Sequence, residues 1–201
     1  MTKSSPLFDL AKLNNIAKNY LSSLSAEAVY TGLASWAQQF DDDFFLLIDK
    51  ERNYTIKILN IERQRSKPRK DFACFSEIKT SISYMYDEFF AQEQADEVEI
   101  KDFYLASALE DYINNIYDEK DSEELWFSKI KELCPKYGFA ATTKDYKANP
   151  EKYQGSVADF CEVLRVAVSH RTLSPNLYEV FQVLGLKRVK QRIIEFAHYC
   201  H

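Results

Sequence analysis

Glycine and proline are scarce in this chain of 201 residues, which contains four of the first and five of the second. Many-turned folds, and loops that wrap a phosphate group, need positive φ or close backbone approach at several positions. The scarcity therefore excludes a many-turned all-β fold and a glycine-rich nucleotide loop. Because 46% of residues are hydrophobic and 28% are charged, disordered and collagen-like classes are excluded as well.

Long apolar runs and paired cysteines are also missing. No stretch approaches the ~18 consecutive apolar residues of a membrane span, and the N-terminal segment MTKSSPLFDLAKLNN has no apolar core of a secretory signal. We therefore expect a soluble, cytoplasmic protein without a membrane partner. The four cysteines form no CxxC pair, which is typical of reduced thiols. His198, Cys200 and His201 crowd the terminus without a fourth ligand, so we expect no metal site.

Apolar residues recur every three or four positions, which predicts helices nearly throughout. Ser25 is predicted to cap the second helix, and the third is expected over residues 44–61. Asp121 or Ser122 should begin a later helix, which Gly138 closes.

Two further stretches carry helix-breaking residues. Residues 63–70 contain no apolar side chain and include Pro68, so we expect a loop there. Near the C terminus, Pro175 is predicted in the first turn of a helix that follows Ser174, stops at Gly185 and leads into a last helix. The sequence thus predicts an all-α, two-lobed helical bundle, with the acidic stretch 91–99 as the boundary candidate.

Charge is distributed unevenly along the chain. The net charge is −5, but residues 86–125 hold 14 Asp and Glu against two Lys, so the remainder is positive. Six Lys and Arg lie in KILNIERQRSKPRK (residues 57–70), and LKRVKQR (residues 186–192) holds four more. Binding of a polyanion responds to local potential, so an RNA partner is possible despite the acidic total. On charge alone, solvated helix faces are the favoured interpretation of both runs.

Common catalytic motifs are missing from the printed sequence, including GxxxxGK[ST], GxGxxG, HExxH and GxSxG. His170 has no obvious carboxylate or nucleophile at a helical spacing. The residues alone therefore leave two function classes open, an RNA-binding protein and a helical protein-interaction module.

A longer run carries a family resemblance. LRVAVSHRTLSPNLYEVFQVLGLKRVKQRI (residues 164–193) resembles the end of bacterial glutamyl-tRNA synthetase, which reads L-R-V-A-[LV]-T-G, a gap, [ST]-P-x-L-[FY]-E-[VI] and L-G-x-x-R-V-x-x-R. GSVADFCEV upstream is similar to the family's G-x-V-A/G-D segment. Ser169 and His170 replace the family's T-G, so glycine's conformational freedom is missing from that turn.

The N-terminal part shows the same resemblance. SPLFDLAKLNNIAKNYLSSLSAE is similar to the family's S-P-x-F-D-L-x-K-L-x-W segment followed by L-S-x-E, with Asn14 in place of the usual Trp. The family's HIGH-type and KMSKS-type catalytic elements have no counterpart in this sequence, and MTKSS is not the second of them. An excised C-terminal part of the enzyme is favoured over a natural short protein, and a stand-alone non-catalytic paralogue is a further alternative.

The resemblance implies three regions and a partner. Residues 1–24 would end a stem-contact segment, and residues 25–95 and 96–201 would form two helical anticodon-binding subdomains. The intact enzyme would join glutamate to its tRNA with ATP and Mg²⁺. This part would need neither cofactor, would contain no catalytic residue, and would bind the anticodon stem-loop of glutamate tRNA, but not DNA, as a monomer.

Family positions that lie against anticodon bases match several residues here. Arg165 would offer a planar donor fork, Ser174 and Pro175 would open a helix whose N–H groups favour RNA acceptors, and Leu177 would cover a base face. For each, a purely structural role is the alternative: a cap, a first-turn proline and a core leucine.

The basic segments supply the remaining candidates. Arg69 or Lys70 would inspect the last anticodon base, although the register could also place Asp71 there. Lys67, Lys187 and Arg188 are candidates for phosphate contacts.

Overall fold

Helices account for most of the computed structural model, which describes residues 9–98 and 104–199. Eleven α-helices lie within these two ranges. Their bounds are α1 Leu10–Ser23, α2 Ala26–Phe40, α3 Asp42–Lys50, α4 Arg52–Asn60, α5 Phe75–Ile82, α6 Asp87–Phe90, α7 Leu105–Asp111, α8 Glu123–Leu133, α9 Thr143–Ala148, α10 Val157–Ser169 and α11 Leu177–Tyr199. The predicted all-α class is confirmed.

Short irregular pieces complete the described chain. Three-residue or four-residue 3₁₀ turns lie at Ser83–Met85, Cys134–Tyr137 and Pro150–Lys152, and a π-helical turn at Tyr112–Ile116. Two strands of two residues, β1 (Phe139–Ala140) and β2 (Gly155–Ser156), pair in parallel. The described residues contain no helix long and apolar enough to cross a membrane.

By internal contacts the chain divides into two compact units, Met1–Ser83 and Tyr84–His201. The resemblance had placed its subdomain boundary at residue 95 instead. Residues 84–96 are held in the second unit, because Arg192 donates to the Tyr84 carbonyl at 2.8 Å and Arg171 pairs with Glu93. The division at residues 24 and 95 stays a prediction for the family's subdomains.

In the first unit, α2 carries the core. Its buried face contacts α3, α4 and α5. Ser25 caps α2 by accepting from the Ala28 N–H at 3.2 Å, as predicted. Gly32 is required by packing, because a Cβ there would collide with the ring of Phe75 at the start of α5.

The predicted helix over residues 44–61 is wrong, because the structure breaks it at Glu51 into α3 and α4. The Ile48 carbonyl accepts from the hydroxyl groups of Tyr30 at 3.4 Å and Thr55 at 3.5 Å. The Thr55 hydroxyl has a closer acceptor in the Glu51 carbonyl, at 3.0 Å, so it is the buried Tyr30 hydroxyl, which needs the Ile48 carbonyl, that favours the break. Residues 63–70 form the predicted loop.

In the second unit, α10 is the most deeply buried helix. It contacts α11, which also packs against α7. The buried residues of α10 are Val157, Phe160, Val163, Leu164, Val166, Ala167, Val168 and Ser169. This burial fixes the direction in which the half-buried Arg165 leaves the helix.

Several predicted helix ends in this unit are confirmed. Ser122 caps α8 through the Leu125 N–H at 3.3 Å, and Gly138 follows α8 and its 3₁₀ extension at φ 77°. Gly185 interrupts α11 with φ 75° and ψ 161°, so its two halves are separate helical segments.

Candidate nucleic-acid interface

Arg165 connects α10 to the loop of residues 170–176, which we call the reading loop. Its Nη1 donates to the carbonyl oxygens of Ser174 at 3.1 Å and Pro175 at 2.8 Å, and also to the Ser174 hydroxyl. Hydrogen bonds from a charged donor are about twice as strong as neutral ones. The guanidinium group therefore fixes the backbone of the Ser174–Pro175 pair against the end of α10.

Asn176 begins α11, and the prediction of a cap at Ser174 with Pro175 in the first turn is wrong. The Asn176 Oδ1 accepts from the Glu179 N–H at 2.9 Å, and the Asn176 backbone carbonyl accepts from the Val180 N–H at 3.0 Å. Ser174 and Pro175 precede Asn176 and lie in the reading loop. The spacing of Asn176 and Glu179 resembles a capping signature and could have revealed this start.

Leu177 is 5% exposed and belongs to the core of the second unit. Its predicted role as an open apolar surface for a base is therefore wrong for the free chain. The residue begins α11 with its side chain directed inward, because the helix starts two residues later than the proline suggested. Leu177 can support the reading loop only through packing.

His170 lies at the position in the turn after α10 where the resembling family has glycine. Its φ of 57° and ψ of 16° are left-handed, a conformation uncommon for residues other than glycine. The His170 imidazole stacks on Phe90 with ring centroids 3.8 Å apart. The backbone carbonyl of His170 accepts a hydrogen bond from the Asp96 N–H at 2.9 Å. These contacts hold the left-handed turn without a glycine.

Acidic residues hold the next two positions of the reading loop. The Glu93 carboxylate accepts two hydrogen bonds from the Arg171 guanidinium, from Nε at 3.1 Å and from Nη2 at 2.6 Å. Asp96 Oδ2 accepts from both the N–H and the hydroxyl of Thr172, at 2.7 and 3.0 Å. These hydrogen bonds lower the pKa of Asp96. The contacts span more than 70 residues of sequence, so no local pattern could have predicted them.

The C-terminal basic run is partly internal. Arg192 is 3% exposed; it donates to the carbonyls of Tyr84 at 2.8 Å and Val168 at 2.7 Å and pairs with Asp87 at 2.8 Å. Arg188 pairs with the same carboxylate at 2.9 Å. These two guanidinium groups lower the pKa of Asp87 against the opposing effect of its partial burial. Lys187 remains exposed for phosphate contact.

The basic run of residues 57–70 is also divided in role. Arg63 donates to the carbonyls of Leu21 at 2.8 Å and Leu24 at 3.0 Å, which satisfies acceptors at the end of α1. Arg69 pairs with Glu62 at 3.2 Å and Asp71 at 2.8 Å.

The three lysines of this run, Lys57, Lys67 and Lys70, are exposed, and none has an ion pair within the described residues. They are the members of the run best placed to meet a phosphate.

No group of three or more His, Cys, Asp or Glu that could hold a metal ion occurs within residues 9–98 and 104–199. Of the three terminal residues at which no metal site is expected, His198, Cys200 and His201, the last two lie outside the described residues. Burial raises the pKa of the Cys134 and Cys161 thiols to about 12, so both are protonated and unreactive at neutral pH.

Comparison with known proteins supports the resemblance. The chain is 36% identical to a glutamate–tRNA ligase of Clostridium beijerinckii over 98% of its own length, and 38% identical to one of Acetivibrio thermocellus over 96%. A third relative of the same name, from Sorangium cellulosum, is 34% identical over 94%. No protein-family model matches the chain. The resemblance read from the two motifs is confirmed over nearly the whole chain.

The match covers only part of the length of each relative. The chain spans 36% of the C. beijerinckii relative, 35% of the A. thermocellus relative and 34% of the S. cellulosum relative. It is therefore similar to one part of these ligases, the C-terminal part. The name glutamate–tRNA ligase refers to the full-length relatives.

Proposed function

We propose that this chain is the tRNA-binding, C-terminal region of a glutamate–tRNA ligase and that it recognises the anticodon loop of glutamate tRNA. The observation that carries the proposal is similarity to these ligases over 94–98% of the chain at 34–38% identity. An intact enzyme of this kind would join glutamate to tRNA with ATP and Mg²⁺. This chain alone would catalyse no pyrophosphate exchange and no aminoacylation.

Anticodon recognition suits the geometry around Arg165. Bases in an RNA loop are unstacked, so a protein can reach their edges and faces, which it cannot do inside an A-form helix. Arg165 holds Ser174 and Pro175 beside its own planar group, so donors and acceptors for a base edge are ordered before RNA arrives. We propose Arg165, Ser174 and Pro175 as base-reading residues and Leu177 as their buried support.

The first unit would contribute a second contact with RNA. Arg69 is held between Glu62 and Asp71 next to the exposed Lys70. One of Arg69, Lys70 or Asp71 would reach the last anticodon base, and Lys67 would contact a phosphate. On the second unit Lys187 would do the same, while Arg188 would act through its pair with Asp87.

The rival protein-interaction module rested on the acidic stretch 86–125. Several of its carboxylates are engaged within the chain: Asp87 with Arg192, Glu93 with Arg171, Asp96 with Thr172, Asp111 with Lys136 and Asp121 with Lys129. Paired carboxylates offer less to a basic partner and repel RNA less. This internal pairing favours RNA binding over the interaction module.

Fluorescence anisotropy with a labelled glutamate tRNA transcript tests the proposal. The chain should bind the cognate transcript about 5- to 150-fold more tightly than a transcript with one changed anticodon base, since a base-edge contact contributes ~1–3 kcal/mol. Equal affinity for the two transcripts would contradict anticodon reading. Failure to bind either transcript would reject tRNA binding itself.

A further inference from the structure

Leu173, at the tip of the reading loop, is 87% exposed, whereas Leu177 nearby is 5% exposed. A single leucine on a protein surface needs no special explanation. This one differs in its setting, because it directly precedes Ser174 and Pro175, which Arg165 holds and which we propose as base-reading residues.

The backbone on both sides of Leu173 is anchored. Thr172 is held by two hydrogen bonds to Asp96, and Ser174 is held by Arg165. One residue earlier still, Arg171 forms its two-atom pair with Glu93. The loop is therefore ordered in the free chain, and little further ordering is needed when a ligand covers the leucine.

A base face requires an apolar surface, because stacking and apolar contact provide much of the affinity for unstacked nucleotides. Leu177 cannot provide it from the core. Leu173 projects from the reading loop, directly before Ser174 and Pro175, whose carbonyl groups accept from Arg165. We propose that Leu173 is an RNA-contacting residue that covers the face of one unstacked anticodon base; this inference rests on the proposed function.

The test measures binding of an anticodon stem-loop RNA to variants of the full chain. Leu173→Ala should weaken binding about tenfold, since most of the apolar contact is lost. Leu173→Met should bind as the unaltered chain does, because its volume and apolarity are similar. Leu46→Ala is the matched control, since Leu46 is a 64% exposed leucine of the first unit; it should leave affinity unchanged.

The salt dependence gives the contact a second signature. An apolar contact releases no counterions, so Leu173→Ala should leave the slope of log K against log salt unaltered. A changed slope would overturn the apolar assignment, as would an equal loss in Leu173→Met.

Stem-loops that lack one anticodon base at a time locate the partner of Leu173. On the RNA without the covered base, Leu173→Ala should cause no further loss, while on the other two it should still weaken binding about tenfold. A loss that persists on all three RNAs, or no loss on the complete RNA, would overturn the inference. If the unaltered chain does not distinguish cognate from changed anticodons, the proposed function is rejected. If it does distinguish them but Leu173→Ala has no effect, only the role of Leu173 is rejected.

Discussion

Arg192 shows how a residue of a basic run can serve the interior. Its guanidinium carbon lies 3.8 Å from the centroid of the Phe90 ring, and its nitrogens reach two backbone carbonyls and Asp87. A buried charge is tolerated when its donors are satisfied in this way. Sequence could not separate Arg192 from the exposed Lys187, because both belong to the same run LKRVKQR and only packing distinguishes them.

Leu177 and Leu173 form a matched pair for a stability test. Leu177→Ala should lower the free energy of unfolding by about 2–5 kcal/mol, because the side chain is buried and its truncation leaves a cavity. Leu173→Ala should change it by less than about 0.5 kcal/mol, because the side chain is exposed. Urea denaturation of the free chains checks both values. Similar losses in the two variants would contradict the packing described for this loop.

His170 couples the stability of the reading loop to pH. Burial lowers its pKa, and the positive charge of Arg192 acts in the same direction. The unfolded chain, with a histidine pKa of about 6.5, then binds the proton more tightly. The contribution to stability is therefore complete above about pH 6.5 and is lost as the pH falls through that value towards the folded pKa.

A substitution isolates this effect. His170→Asn removes the titrating group, and asparagine tolerates the left-handed conformation. We predict a shallower decline in the free energy of unfolding between about pH 7 and pH 5 for this variant. Denaturant titrations at a series of pH values provide the measurement. An unaltered decline in His170→Asn would assign the pH dependence to other groups.

At the level of elements, α11 depends on one glycine. Gly185 adopts φ 75° and ψ 161°, a region that is essentially restricted to glycine. Gly185→Ala should destabilise the chain by about 1–3 kcal/mol from backbone strain alone, because no atom lies within 4 Å of the added Cβ. Lys190→Ala, on an exposed position of the same helix, is the control and should stay within about 0.5 kcal/mol. Equal thermal stability of Gly185→Ala and the unaltered chain would contradict this geometry.

Sequence patterns predicted helix ends where the signal is local. Ser25 and Ser122 cap through N–H groups three residues away, and Gly138 and Gly185 adopt positive φ. The break at Glu51 escaped prediction because it depends on Tyr30, whose hydroxyl reaches the Ile48 carbonyl across 18 positions. Sequence patterns reveal local capping groups, whereas they do not reveal side-chain donors from distant helices, such as the Tyr30 hydroxyl.

The candidate site shows the same division. Motif matching found Arg165, Ser174 and Pro175, which the structure brings together through hydrogen bonds. It did not find the anchoring of the reading loop by Glu93 and Asp96, because acidic residues 78 and 76 positions away carry no periodic signal. It also assigned the open apolar surface to Leu177 rather than to Leu173, because burial depends on where α11 begins.

For the whole molecule, net charge is a poor guide to its partner. The total is −5, yet within the part that the structure describes four of the 14 acidic side chains in residues 86–125 form ion pairs with Lys or Arg of the chain, while Lys67, Lys70 and Lys187 remain exposed. Association with tRNA should therefore weaken with salt, with log K falling against log salt by about 0.7 for each phosphate contact to single-stranded RNA.

A double substitution tests which lysines cause that salt dependence. Replacing Lys67 and Lys187 with alanine should reduce the slope by about 1.4, because each is proposed to contact one phosphate. Replacing Lys144 and Lys147, which are exposed on α9 outside both basic runs, removes the same charge and should leave the slope unchanged. Binding that ignores salt, or equal slopes in the two double variants, would contradict the proposed contacts.

Arg165 is central to the proposed function, because we propose that it reads the anticodon. The most direct test measures the dissociation constants for cognate glutamate tRNA and for the same tRNA with one changed anticodon base. The ratio of these two constants is compared between the unaltered chain and Arg165 variants whose cooperative thermal unfolding shows that they are folded. Arg165→Ala should reduce this ratio by a factor corresponding to ~1–3 kcal/mol. Arg165→Lys, which keeps the charge but loses the planar fork, should reduce it too. A folded Arg165 variant that retains the full ratio would contradict the claim.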